Sequence, residues 1–153
     1  MYKTLLILHS LNRWLVLLSL LFTIYICWKG YRSKKVFSSF DNTARHVTAT
    51  ISHVQLLIGL YLYMISPIVK FNGGEAASSG LVSEHLFFRL IHIALMVISV
   101  ILITVGSAKA KRAANDQLKY RIVLVWFSIA LLVILIAIPW PFSPLAVRPY
   151  FRF

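Results

Sequence analysis

The chain has 153 residues, of which 59% are hydrophobic and only 13% are charged, and its mean hydropathy is +0.81. A soluble domain carries roughly 25% charged residues, so this composition is typical of an integral membrane protein and argues against a soluble globular domain. The net charge of +12 does not indicate nucleic-acid binding, because the basic residues lie in short connections between apolar segments. In that position they orient membrane helices and contact anionic lipid.

Four apolar segments are predicted to form membrane helices, at about residues 4–28, 47–66, 85–106 and 122–139. Each reaches or approaches the roughly 20 residues that cross a hydrocarbon core of about 30 Å. The first segment is kept as a helix rather than a signal peptide, because no small-residue cleavage site follows it. Since the connections are short, the predicted fold is all-α, an antiparallel four-helix bundle that forms a single transmembrane domain over residues 1–153.

Positive charge predicts the orientation of these helices. The first and third connections each carry five basic residues, whereas the middle connection, residues 67–83, has only Lys70 and is rich in Gly and Ser. The first and third connections are therefore predicted in the cytoplasm, with both termini outside and the protein in the cytoplasmic (inner) membrane. Arg148 and Arg152 in the tail weakly favour the opposite orientation. The basic residues of the two connections are Lys29, Arg32, Lys34, Lys35 and Arg45, and Lys109, Lys111, Arg112, Lys119 and Arg121.

Ionisable side chains enter three of the four predicted helices, with His53 in the second. The first helix carries His9 and Arg13 one turn apart, and the third carries His85, Arg89 and His92 at a spacing that shares one face of an α-helix. Such residues inside a membrane span are costly and indicate function. At 1.5 Å per residue, His9 and His92 lie about 7 and 10 Å below the outer ends of their helices, so they are predicted at nearly the same depth.

Two imidazoles that face each other across the bundle predict ligation of b-type haem. The first and third helices are diagonal in an up-down bundle, with roughly 11–14 Å between their axes. Haem b needs axial ligands, an apolar sleeve and cationic partners for its propionates. His9 and His92 are the predicted ligands, and Arg13 and Arg89 the predicted propionate partners.

Simpler interpretations of the same residues remain open. A membrane histidine can instead form a hydrogen bond to a neighbouring helix, for about 0.6–2 kcal/mol. Arg89 can extend its head group to the interface rather than pair with a propionate. His53 lies about 20 Å from the outer end of the second helix. It can pair with His92, ligate a second site or pack as a polar residue.

Other chemistries fit the sequence less well. A zinc site needs three or four ligands in a tetrahedral arrangement, and no motif with such spacing occurs. Covalent c-type haem is excluded because there is no CxxCH motif. Triad catalysis lacks partners, since no Asp lies within a predicted span and Cys27, the single cysteine, is at the far end of its helix from His9. The chain is therefore predicted to be an electron carrier rather than a catalyst.

Several segments together resemble a known family. They are residues 8–14, residues 52–60 with Tyr63, His92 with the apolar run that follows it, and residues 138–142. In these segments the chain resembles small four-helix membrane proteins of Bacteroidetes-type bacteria that carry the label "cytochrome B". The resemblance implies b-type haem, with His9, His53 and His92 as candidate iron ligands. Ile91 departs from the family pattern, which often has an acidic residue at that place.

The predicted function is that of a haem b membrane cytochrome that passes electrons, with quinol or a partner redox protein as the donor or acceptor. One alternative is a cofactor-free structural or accessory membrane subunit whose histidines join neighbouring helices. Another is a small ion-site protein that binds an anion at the outer His and Arg cluster. The lipid bilayer is a partner in all three cases. The sequence leaves open homo- or hetero-oligomerisation and the choice of His9 or His53 as the partner of His92.

Overall fold

The computed structural model describes residues 1–70 and 83–150 of the chain. Four long helices make up most of these residues, and no strand occurs among them. Each helix is long and apolar enough to cross a membrane, which confirms the prediction of an all-helical protein with four candidate spans. The Gly- and Ser-rich centre of the middle connection and Arg152 lie outside the described residues. The four helices are α1, Tyr2–Arg32; α2, Ser39–Ile65; α3, Glu84–Arg112; and α4, Asp116–Ala137.

The helices extend well beyond the apolar segments at the ends that carry basic residues. The largest difference is in α2, which begins at Ser39 rather than near residue 47. Ser38 and Asp41 form a capping box: the Ser38 hydroxyl accepts from Asp41 N at 3.2 Å, and the Asp41 carboxylate accepts from Ser38 N at 2.9 Å. The assignment of Arg45 to a basic loop is therefore wrong, because Arg45 lies on α2 and is only 4% exposed.

The packing of the helices places α1 and α3 on opposite sides of a shared interior. α1 packs against α2 and α4, and α3 packs against the same two helices. Among the described residues, α1 and α3 do not pack against each other along their lengths. The two ends of this arrangement differ. We call the end where α1 begins and α4 ends the tail-side end, and the opposite one the basic end.

Charged groups are buried at the basic end, where they join three helices. Asp41 of α2 accepts a hydrogen bond of 2.8 Å from the Tyr120 hydroxyl of α4. Arg45 donates to the Ser107 carbonyl of α3 at 2.9 Å, and also to the Ser107 hydroxyl. Its Nη2 donates to Asn42 Oδ1 at 2.7 Å, while its buried Nε has no hydrogen-bond partner among the described residues. Buried charges are tolerated only when hydrogen bonds satisfy them, so these contacts explain how α2 keeps two ionisable residues inside the protein.

Hydroxyl groups continue this buried polar face toward the tail-side end. Thr48 of α2 donates to the Ser19 carbonyl of α1 at 3.1 Å, and Thr23 Oγ1 lies 2.8 Å from Thr48 Oγ1. The Ser52 hydroxyl, one turn further along, donates to the Thr48 carbonyl at 2.8 Å. Small polar residues allow close approach of helices in a membrane and form hydrogen bonds between them. They therefore hold α1 against α2.

A π-helical turn interrupts α3 at Phe87–Ile91, where the His92 N–H donates to the Phe87 carbonyl. This bond spans five residues instead of four, so the turn contains one residue more than an α-helix would need. The prediction that His85, Arg89 and His92 share one face is therefore wrong. Arg89 is exposed, whereas Phe87 is fully buried and His92 is half-buried.

Candidate functional site

The tail-side half of the molecule contains a cavity of about 180 Å³. Residues of α1, α2 and α3 form most of its wall, and the end of α4 and the tail that follows it complete the wall. Most of the lining is apolar. The polar side chains that matter for chemistry are His9, Arg13, Gln55, His92 and Arg148.

The rings of His9 and His92 meet in this cavity. Their centroids are 6.4 Å apart and their planes make an angle of 68°. Metal–imidazole bonds are about 2.0–2.1 Å long, so two imidazoles on opposite sides of one ion have centroids roughly 6 Å apart. The two histidines predicted to lie at one depth are thus close enough to share an ion, although their helices do not pack directly.

The end of α4 fixes the orientation of His92. Its Nδ1 lies 2.8 Å from the Ala137 carbonyl oxygen, and because a carbonyl only accepts, Nδ1 carries the proton. Ala137 is the last residue of α4, and the residue four positions later is Pro141, which has no N–H to donate to this carbonyl. In the neutral tautomer that carries this proton, the lone pair is on Nε2, which is the arrangement that metal-binding histidines use.

Gln55 of α2 holds His9 in place from the opposite side. Its amide nitrogen lies 3.0 Å from the His9 carbonyl and 3.4 Å from His9 Nε2. Gln55 is in turn fixed by Asn12, whose amide donates to Gln55 Oε1 at 2.9 Å. Gly59 gives the ring its room, because a Cβ at that position would lie 3.1 Å from His9 Cε1. Sequence reasoning missed Gln55 as a site residue, although an amide inside an apolar segment was a usable signal.

Two arginines line the cavity, and we call the part of the lining that they form its mouth. Arg13 of α1 donates to the Tyr150 carbonyl, and its guanidinium lies 5.3 Å from the centre of the Trp14 ring. Arg148 comes from the tail and forms an ion pair of 2.5 Å with Glu84, the first residue of α3. Arg148 appeared in the sequence only as a topology signal, since nothing in the sequence pattern indicates the path of the tail.

Two of the predicted site residues lie elsewhere. His53 is exposed on α2, and its Nε2 lies 2.9 Å from Thr104 Oγ1 of α3. Arg89 is exposed on α3, and its carbonyl accepts from the Tyr63 hydroxyl at 3.2 Å. Neither lines the cavity. Within residues 1–70 and 83–150, no three His, Cys, Asp or Glu side chains come together to hold a metal ion, so the site offers two imidazoles and no larger ligand set.

Comparison with known proteins adds no assignment for this site. Protein-family models, curated proteins and solved structures were compared with the chain, and none of them matches it. The resemblance to the "cytochrome B" family therefore stays a prediction that depends on the quoted residues alone.

Proposed function

We propose that this protein is a membrane electron carrier that holds b-type haem between His9 and His92. The observation that carries the proposal is the pair of imidazole rings, 6.4 Å apart, contributed by two helices on opposite sides of the interior. The lone pair on His92 Nε2 supports it, and so does the resemblance of residues 8–14 and 138–142 to the "cytochrome B" family.

The residues of the cavity fit the donor requirements of haem iron, since bis-imidazole ligation is one of the arrangements by which proteins hold it. The volume of the cavity is a stricter requirement for haem than its ligands are. The cavity of about 180 Å³ is smaller than the roughly 300–1,000 Å³ of pockets that enclose drug-sized ligands. A macrocycle therefore fits only if lining side chains move aside, beginning with the Gln55 amide that lies against His9 Nε2.

The chain's own residues would then bind and insulate the group. Bound haem b supplies reversible one-electron chemistry, with a potential set by its ligands and surroundings. Ala137 keeps the His92 ring in the ligating tautomer, and Gln55 and Asn12 set the position of α1 against α2. Phe88 and Met96 form part of an apolar wall that excludes water from the ligands. Quinol or a partner redox protein is the proposed source or acceptor of electrons.

A visible spectrum of the purified protein tests the proposal. Protein from haem-replete cells should show a Soret band and sharp reduced α and β bands. His9→Ala and His92→Ala should each abolish these bands, whereas His46→Ala, a change of an exposed histidine on α2, should leave them intact. His53→Ala should also leave them intact, because His53 lies outside the cavity. A colourless wild-type protein would overturn the proposal.

A cofactor-free accessory subunit is the second candidate, favoured by one specific observation. The His92 Nδ1 to Ala137 contact joins α3 to α4 without any ligand, which is what a purely structural histidine would do. The same spectra separate the two candidates. In the accessory-subunit case the protein has no visible bands, and His92→Ala changes only its stability.

The proposed topology is an antiparallel bundle in the cytoplasmic membrane, with both termini outside. Its test uses the single native cysteine, Cys27, which is fully buried and so does not interfere with surface labelling. Lys35→Cys, between α1 and α2, should react only with maleimides that cross the membrane. Pro144→Cys, in the tail, should react with impermeant maleimides in whole cells. The reverse pattern would refute this orientation.

A further inference from the structure

The tail after α4 is packed against the tail-side end of the molecule. Ala146 is 1% exposed and Ser143 is buried as well. The Trp140 ring contacts both the Trp14 ring of α1 and the Tyr150 ring, with centroids 6.0 and 6.3 Å away. The tail is therefore packed as part of the cavity wall, and this packing determines the position of Arg148.

The mouth of the cavity holds two cationic side chains, of which Arg148 is paired with Glu84. Arg13 and Arg148 both line it, while no carboxylate is among the described residues of the lining. Glu84, the partner of Arg148, lies outside that lining, and both side chains of the pair are 20% exposed. The Arg148 guanidinium also lies 5.3 Å from the centre of the Phe88 ring, which keeps one face of the cation against the cavity wall.

Arg148 has hydrogen-bonding capacity beyond its contact with Glu84. A guanidinium has five N–H donors arranged to bind a carboxylate in a bidentate manner. Glu84 takes one nitrogen, Nη2, and the buried Nε has no hydrogen-bond partner among the described residues. Glu84 itself lies in the first turn of α3, where the helix dipole stabilises a negative charge even without Arg148. A second carboxylate can therefore replace Glu84 at Arg148, and Glu84 then keeps the favourable dipole interaction at the start of its helix.

We infer that the mouth of this cavity binds the carboxylate of an amphiphilic ligand, for which Arg148 releases Glu84 while Arg13 contacts the same anion from α1. The apolar wall below, with Phe88, Met96 and Ile134, takes the apolar body of that ligand. A porphyrin with propionates and a fatty acid both have this chemistry. The porphyrin case deepens the proposed function and rests on it, whereas the carboxylate site itself does not require iron ligation.

Binding of metal-free protoporphyrin IX to the full chain in neutral detergent micelles tests the inference. Its fluorescence reports binding without any contribution from iron. The free acid should bind at least about tenfold more tightly than the dimethyl ester, a factor that corresponds to about 1.4 kcal/mol. Arg148→Gln should remove this preference, and Glu84→Gln should strengthen binding of the acid because Arg148 loses its competing carboxylate. Arg121→Gln, an exposed change at the basic end, is the matched control and should alter neither value.

Several outcomes would overturn the inference. They are equal affinity for acid and ester, an unchanged preference in Arg148→Gln, and weaker binding of the acid by Glu84→Gln. The last variant keeps the test decisive if Arg148→Gln fails to fold. If palmitate competes with protoporphyrin IX, the carboxylate ligand of this site is a fatty acid. If palmitate does not compete, the ligand is a porphyrin. His92→Ala should retain the preference for the acid, so failure of haem ligation and failure of the carboxylate site give different results.

Discussion

Replacement of Tyr120 by Phe removes one buried hydroxyl, which has two acceptors at the basic end. Tyr120 is 1% exposed, and its hydroxyl lies 2.8 Å from Asp41 Oδ2 and 3.2 Å from the Val36 carbonyl. A hydrogen bond to a charged group contributes about 1.5–3 kcal/mol. Asp41 keeps its bonds to the Ser38 amide and hydroxyl, at 2.9 and 2.7 Å, so it is not left unpaired. We therefore expect a loss of about 1.5 kcal/mol, the low end of that range.

Reversible unfolding by SDS in mixed micelles, followed by helical circular dichroism, measures this loss. Tyr25→Phe is the matched control, because Tyr25 is 55% exposed and should change the free energy of unfolding by less than about 0.5 kcal/mol. A double-mutant cycle with Asp41→Asn should give a coupling energy of about 1 kcal/mol or more, since the two residues are in direct contact. If Tyr120→Phe matches the control, or the coupling is zero, the buried hydrogen bond does not stabilise this end.

Three further predictions concern the helix ends, close packing and the lone thiol. Ser38→Ala removes the capping box of α2 and should cost about 1 kcal/mol in the same titration, while the neighbouring change Ser39→Ala should be nearly neutral. Gly106→Ala places a Cβ 2.9 Å from Trp126 Cγ and should cost about 1–3 kcal/mol by overpacking. Trp126→Gly in the same chain removes both the Cβ and the Cγ that the new methyl group would meet, so it should relieve most of that clash penalty, and additive losses would contradict the contact. The Cys27 thiol is fully buried, so folded protein in micelles should resist maleimide until SDS unfolds it. Rapid labelling of native protein would contradict that burial.

The sequence contains enough information to place the helices and to pair two histidines by depth. Hydropathy identifies four spans, and the rise per residue puts His9 and His92 at one level, where their rings are 6.4 Å apart. Prediction from the sequence fails where tertiary contacts override the local pattern. Arg45 is counted as a loop charge by composition, yet hydrogen bonds to Ser107 and Asn42 let α2 bury it. Arg148 meets Glu84 only because of the course of the tail, which hydrophobic periodicity does not predict.

Sequence reasoning also missed Gln55, and for a different reason. Its two contacts with His9 depend on how closely α1 approaches α2. That approach follows from Gly59 and from the threonines nearer the basic end, which no single motif reveals. Local patterns thus identify which side chains are unusual, while the distance between helices decides which of them meet.

Because of the π-helical turn in α3, the geometry of the site depends on the number of residues in this turn as well as on which residues they are. Each residue of an α-helix turns the chain by about 100°. The extra residue at Phe87–Ile91 therefore sets the rotation of Glu84 independently of that of His92. One faces Arg148 and the other faces His9. Deletion of a single residue here, even the exposed Leu90, would restore an unbroken α-helix and force the protein to give up one of these contacts. Substitution of Leu90 is then tolerable where its deletion is not.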